Sequence, residues 1–167
     1  LGGELVSYRD ERGLEYIWGG DPAYWPGRNP LLFPIVGMLK EGKIRFDGRE
    51  YAMERHGFAR RREFTPAARG EDWVRLELRE SAETLALYPY PFRLAVEQRL
   101  TDTGFSTAVT VANPGEGPLP FCLGAHTGFR CPLEAGERFE DYELVFPERE
   151  SCPTLLLRDG LLDRPAA

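Results

Sequence analysis

The sequence predicts an all-β protein, an antiparallel β-sandwich, on three observations. Apolar and charged residues alternate with a period of two in several runs. Turn residues recur between those runs, and only one short stretch carries helix signals. Many short strands at regular spacing, joined by turns, are the pattern of a sandwich or barrel.

In chain order, the first hairpin is expected over Ile44-Arg45-Phe46-Asp47-Gly48-Arg49-Glu50-Tyr51. Asp-Gly suits a two-residue turn with positive φ. Val74, Leu76 and Leu78 then alternate with Arg75, Glu77 and Arg79, as a half-buried strand requires. Ser81 to Leu87 is the single helical candidate, with Glu83 in its first turn and Pro89 ending it. Phe92, Leu94, Val96 and Leu100 alternate with Arg93, Glu97 and Arg99, and Phe105, Thr107, Val109 and Val111 form a second run. Asp102-Thr103-Gly104 between them reads as a turn. Tyr142, Leu144 and Phe146 suggest a late strand, and Asp159-Gly160 a turn before Leu161-Leu162. Leu1 falls inside what reads as a strand and the chain ends after another apolar start, so both ends are expected to be cut.

Composition excludes several classes. The 167 residues suffice for one domain with a real core, and 42% apolar with 29% charged residues is ordinary for a globular protein. No apolar run approaches the roughly 20 residues of a membrane helix, and the first residues show no secretory signal. A net charge of −6 argues against general binding to nucleic acid or anionic membranes. Cys122, Cys131 and Cys152 are odd in number and lack C-x-x-C spacing, which fits reduced thiols in a cytoplasmic protein.

The candidate chemistry lies at two histidines, His56 in His56-Gly57-Phe58-Ala59-Arg60 and His126 in Gly124-Ala125-His126-Thr127-Gly128-Phe129. Imidazole both gives and takes a proton near neutral pH, glycine allows close approach of a ligand, and a flanking ring offers a flat apolar face. Either histidine could instead be structural, His126 satisfied by a backbone carbonyl and His56 an ordinary loop residue. Arg60-Arg61-Arg62 beside Arg55 reads as a solvated charged edge or as an anion site. Cys122, His126 and Cys131 match no zinc spacing, and no metal is expected.

These residues are similar in order to motifs of the aldose 1-epimerase (galactose mutarotase-like) family, in particular its bacterial branch with an HGFAR sequence. The matching stretches are Gly3-Glu4-Leu5, Leu14-Glu15-Tyr16-Ile17-Trp18, Asp21-Pro22-Ala23-Tyr24-Trp25 and Leu32-Phe33-Pro34-Ile35-Val36-Gly37. His56-Gly57-Phe58-Ala59-Arg60, Glu83-Thr84-Leu85, Tyr88-Pro89 and Pro120-Phe121-Cys122-Leu123-Gly124-Ala125-His126 follow. Cys131-Pro132-Leu133 and Phe139-Glu140-Asp141-Tyr142 complete the set.

The resemblance implies a galactose mutarotase-like supersandwich. Residues 1–167 would form a single domain, incomplete in lacking its first strand and its C-terminal part. It implies interconversion of the α and β anomers of an aldose by acid/base ring opening, with no cofactor. By position His126 matches the acid at the ring oxygen, His56 a second histidine bonding the sugar, and Arg60 a substrate contact. The partner would be a small aldose or sugar phosphate, and exposed sheet faces would favour self-association. Two alternatives are a catalytically impaired carbohydrate-binding protein and, from Arg60-Arg61-Arg62, a hexose-6-phosphate epimerase.

Three departures stand out. The family's base is a glutamate in the C-terminal part, and Glu134, Glu137, Glu140 and Asp141 are poor replacements for it in their polar stretch. Met38 stands where the family usually has a sugar-binding arginine, and a thioether cannot donate charged hydrogen bonds. Thr127-Gly128 replaces the usual proline-alanine after the histidine, which is expected to loosen the loop that aims it.

Overall fold

In the computed structural model, residues 1–149, 151 and 155–163 are described. They form two compact units, Leu1–Leu5 with Pro30–His126, and Val6–Asn29 with the chain from Thr127 onward. The first unit contains β1 (Leu31–Leu32), β2 (Lys43–Phe46), β3 (Arg49–Ala52), β4 (Thr65–Arg69), β5 (Trp73–Arg79), α1 (Ala82–Leu87), β6 (Arg93–Thr101), β7 (Gly104–Ala112) and β8 (Gly124–Ala125). The second contains β9 (Leu157–Arg158) and β10 (Leu161–Leu162). The fold is all-β and its ladders are antiparallel.

The turns follow from local sequence. At Asp47 (φ 47°) and Gly48 (φ 81°) the chain takes the left-handed pair that joins β2 to β3. β6 turns into β7 at Asp102-Thr103, with Thr101 opposite Gly104. Ser81 caps α1 reciprocally: its hydroxyl accepts from the Thr84 amide at 3.2 Å, and the Thr84 hydroxyl accepts from the Ser81 amide at 2.8 Å.

β4–β5–β6–β7 form a four-stranded sheet in which β6 is central and carries the buried run Leu94, Ala95 and Val96. The edge strand β4 contains Pro66, and its register shifts between Pro66 and Ala68. Proline removes a ladder donor, so an edge beside a bulge is where it can sit. That proline also hides β4 from the alternation that marks its neighbours.

Aromatic rings fill the core. Phe33, Tyr88 and Phe92 are fully buried, and the Phe33 ring lies 5.2 Å from Phe92 and 6.2 Å from Phe58, edge-on to the latter. Tyr88 donates its hydroxyl to the Pro120 carbonyl at 2.8 Å, so this large ring is buried without an orphaned polar atom. Burial and the neighbouring Tyr90 push the Tyr88 phenol well above its ordinary pKa. Tyr88→Phe is expected to cost about 1 kcal/mol of unfolding free energy in a urea melt. Equal stability would mean that water replaces the hydroxyl at Pro120.

In the second unit Glu15 gathers the residues close to it in the chain. Its carboxylate accepts from the backbone amides of Tyr8 (2.9 Å) and Ile17 (3.0 Å), the Ser7 hydroxyl (2.5 Å) and Arg9 Nε (3.1 Å). Burial alone would raise its pKa, but these donors hold it down to about 2. This carboxylate ties the turn at residues 8–17.

The late strand expected at Tyr142, Leu144 and Phe146 does not form. Tyr142 follows a single 3-10 turn, Phe139–Asp141, and the residues after it pair with no described strand. Alternation alone does not make a strand without a neighbour to complete its ladder. Leu144 and Val145 are 86% and 78% exposed. Among the described residues no helix is long and apolar enough to cross a membrane.

Candidate active site

A seven-residue segment, residues 31–37, sets both histidines within the first unit. On one side Leu31 pairs with Ala125 and Leu32 with Gly124, so His126 leaves β8 directly, its amide bonded to the Pro30 carbonyl at 3.2 Å. Gly124 lies against Leu32 and Val36, where a Cβ would come within 3.1 Å of the Val36 side chain.

On its other side the same segment holds the His56 motif. Phe33 bridges Gly57, and the Phe33 carbonyl accepts from the amides of Phe58 (3.0 Å) and Ala59 (3.2 Å). His56 itself has φ +67°. Its amide donates to the Gly37 carbonyl at 2.8 Å, and the Gly37 amide donates back to His56 Nδ1 at 2.9 Å.

That second bond decides the state of the ring. Nδ1 accepts, so the proton of the neutral imidazole sits on Nε2, which is left as a donor. The His56 and His126 ring centroids lie 6.5 Å apart with their planes tilted by 54°. His56 is half-buried and His126 exposed, so the pair opens to solvent. A separate cleft of about 560 Å³, floored by Met53, Phe58 and Leu87, is lined by neither histidine.

Burial, then the positive charges of Arg60, His126 and Arg55, push the His56 pKa below its ordinary value. Folding therefore favours the neutral ring more than the unfolded chain does. Stability from it is complete above the unfolded value of about 6.5 and is lost as pH falls through that value and below the folded pKa. His56→Asn keeps an acceptor near the Gly37 amide and tolerates positive φ. The variant is expected to lose less melting temperature than the parent between pH 7 and pH 5.5; parallel losses would rule out His56 as the titrating group.

Arg60 lies in the 3-10 turn Ala59–Arg61. Its Nη2 donates to the Arg55 carbonyl at 2.9 Å, while its buried Nε has no partner among the described residues. Burial, Arg61 and Arg55 lower its pKa against the opposing pull of Glu54. The rest of the arginine run is occupied elsewhere: Arg61 pairs with Glu54 at 2.7 Å and Arg62 with Glu83. For those two, the charged-edge reading is the right one.

Two residues outside the predicted site contribute to it. Gly37 supplies the amide that fixes the His56 tautomer, a backbone role no side-chain motif announces. Arg55 reaches Met38, its Nη2 lying 3.8 Å from Sδ.

Within the second unit, Thr127 and Gly128 both bond to the chain at residues 28–29. The Thr127 hydroxyl donates to Oδ1 of buried Asn29 at 2.7 Å. The Gly128 amide donates to the Arg28 carbonyl at 2.7 Å, and its carbonyl accepts from the Trp18 amide at 2.9 Å. A Cβ at position 128 would lie 2.8 Å from the Trp25 ring.

The late carboxylates are engaged locally. Glu137 accepts from the Glu134 amide and the Tyr142 hydroxyl, and Asp141 from the Arg138 amide. Among the described residues no three His, Cys, Asp or Glu side chains gather as a metal would need. Cys152 lies outside the described residues.

The fold is that of the galactose mutarotase-like β proteins. A galactose mutarotase related enzyme from Lactobacillus acidophilus superposes with a TM-score of 0.81 at 31% identity, covering 84% of this chain and 47% of that one. A galactose mutarotase-like protein from Lactobacillus casei gives 0.76 at 36% identity, covering 80% and 46%. The chain belongs to the aldose 1-epimerase family, whose model matches residues 1–159. Protein LacX of Lactococcus lactis subsp. lactis, in its plasmid form, is 42% identical over 171 residues, covering 98% of this chain. The chain spans 57% of the length of that relative.

Proposed function

We propose that this protein interconverts the α and β anomers of an aldose by acid/base opening of the sugar ring. Its family and its neighbours, a galactose mutarotase related enzyme among them, support a reaction of this class. The observation that carries the reading is the imidazole pair, two rings 6.5 Å apart held by one shared segment.

In this reading His126 protonates the ring oxygen while the C1 hydroxyl gives up its proton. The ring opens, the C1–C2 bond rotates, and closure returns both protons. His56 donates from Nε2 to a sugar oxygen, its ring held by Gly37. Arg60 contacts the sugar through its guanidinium, which is anchored on the Arg55 carbonyl. The resemblance assigns the base to a glutamate in the family's C-terminal part; Glu137 and Asp141 of this chain are engaged in their own turns.

A second reading is sugar binding without turnover. Among the described residues, no carboxylate is among the groups that act on His56. Polarimetry of fresh α-glucose or α-galactose separates the two. Catalysed exchange above the buffer rate supports the epimerase, whereas saturable binding at the buffer rate supports the binding protein. Self-association would draw on exposed Phe139, Leu144 and Val145.

A further inference from the structure

We infer that Arg55 is a specificity-determining residue of the histidine site, favouring an aldose that carries an anionic group over a neutral one. The inference deepens the proposed function and rests on it.

The placement comes from the backbone. Gly37 and His56 exchange two hydrogen bonds, which sets their chain neighbours Met38 and Arg55 beside each other. The Arg55 guanidinium settles on the Met38 sulfur at 3.8 Å, and a thioether is a weak acceptor. Arg55 is exposed and makes no ion pair among the described residues. In that respect it differs from Arg61 and Arg62, whose charges Glu54 and Glu83 answer. The sulfur contact leaves the guanidinium's charge unanswered.

Arg60 adds a second cation. Its side chain returns to the Arg55 carbonyl, and its Nε has an unused buried proton. The histidine site is thus bordered by two guanidinium groups while the chain as a whole is at −6. Local positive charge within a negative protein draws an anion to that place rather than to the surface at large. A planar guanidinium matches the paired oxygens of a phosphate or carboxylate, and such charge-assisted bonds are about twice as strong as neutral ones. A sugar hydroxyl uses only one of those donors.

The test measures binding of glucose, glucose 6-phosphate, glucuronate and inorganic phosphate by calorimetry at constant ionic strength. The unaltered chain and Arg55→Ala are compared, with melting curves establishing that the exposed substitution leaves the fold intact. The inference expects at least one anionic sugar to bind about tenfold or more tighter than glucose. Arg55→Ala should erase that preference, bringing the anionic sugars to about the affinity of glucose in the same variant. A preference for both anionic sugars identifies the charge as the determinant, and a preference for the phosphate alone narrows the class to sugar phosphates; either supports the inference.

Equal affinity for neutral and anionic sugars overturns it, as does a preference that survives Arg55→Ala. Inorganic phosphate binding as tightly as the sugar phosphate also overturns it, because the sugar site would then play no part. If glucose binds and its anomers exchange without any anionic preference, the inference fails and the proposed function stands. If no sugar binds, both fail.

Discussion

His126→Ala is expected to lower catalysed anomer exchange by about 10²–10⁴-fold, the usual contribution of one positioned acid. Opening the hemiacetal leaves charge on the ring oxygen unless a proton arrives as the C–O bond breaks. An imidazole can deliver that proton near neutral pH and take it back on closure. The ring of His126 is exposed, and the motif around it is held by backbone bonds, so removing the side chain should not disturb the fold. The rate is read by polarimetry on fresh α-anomer, with a melting curve alongside. Added imidazole should restore part of the activity. A variant as fast as the parent would remove His126 from the acid role.

The largest effect on stability is expected at Gly57. A Cβ there would lie 2.2 Å from the Phe33 carbonyl oxygen and 2.5 Å from its carbon, both backbone atoms in the middle of the core. The residue also has φ +68°, which side chains other than glycine rarely adopt. Relief would require moving the carbonyl that accepts from Phe58 and Ala59, and with it the segment that places both histidines. Gly57→Ala should therefore lose about 4 kcal/mol or more, a large share of the roughly 5–15 kcal/mol of a domain of ordinary stability. Gly37→Ala provides the contrast. Its φ is +86° but nothing lies within 4 Å of the added Cβ, so only the backbone cost of about 1–2 kcal/mol applies. Similar urea midpoints for the two variants would show that the clash with Phe33 is relieved at little cost.

The parts of the fold that could be read in advance are those governed by neighbours in the chain. Asp47-Gly48 makes the turn its chemistry demands, Ser81 and Thr84 cap the one helix, and the alternation at residues 74–79 marks β5. The parts that could not be read depend on distant partners. Pro66 disguises an edge strand that exists only because β5 offers it a ladder. Tyr142, Leu144 and Phe146 have a strand's alternation without a described strand beside them.

The site divides in the same way. Both histidines and Arg60 stand in motifs that the sequence displays. The bond that sets the tautomer joins His56 to the amide of Gly37, 19 residues away, and a backbone donor leaves no signature. Arg60-Arg61-Arg62 looks like one cluster in the sequence. Folding assigns Arg61 and Arg62 to glutamates and leaves Arg55 beside a sulfur, a distinction that only the partners can make. Thr127-Gly128 was legible as a departure, but its consequence depends on Asn29 and the ring of Trp25.

The central claim is that the two imidazoles together face one sugar. It is tested most directly by following the ring signals of His56 and His126 by NMR while an aldose is added. The account predicts that both shift saturably with a single dissociation constant, and that the Nε2 proton of His56 becomes protected from exchange. Sugar binding that moves neither ring, or moves the two with unrelated affinities, would contradict it.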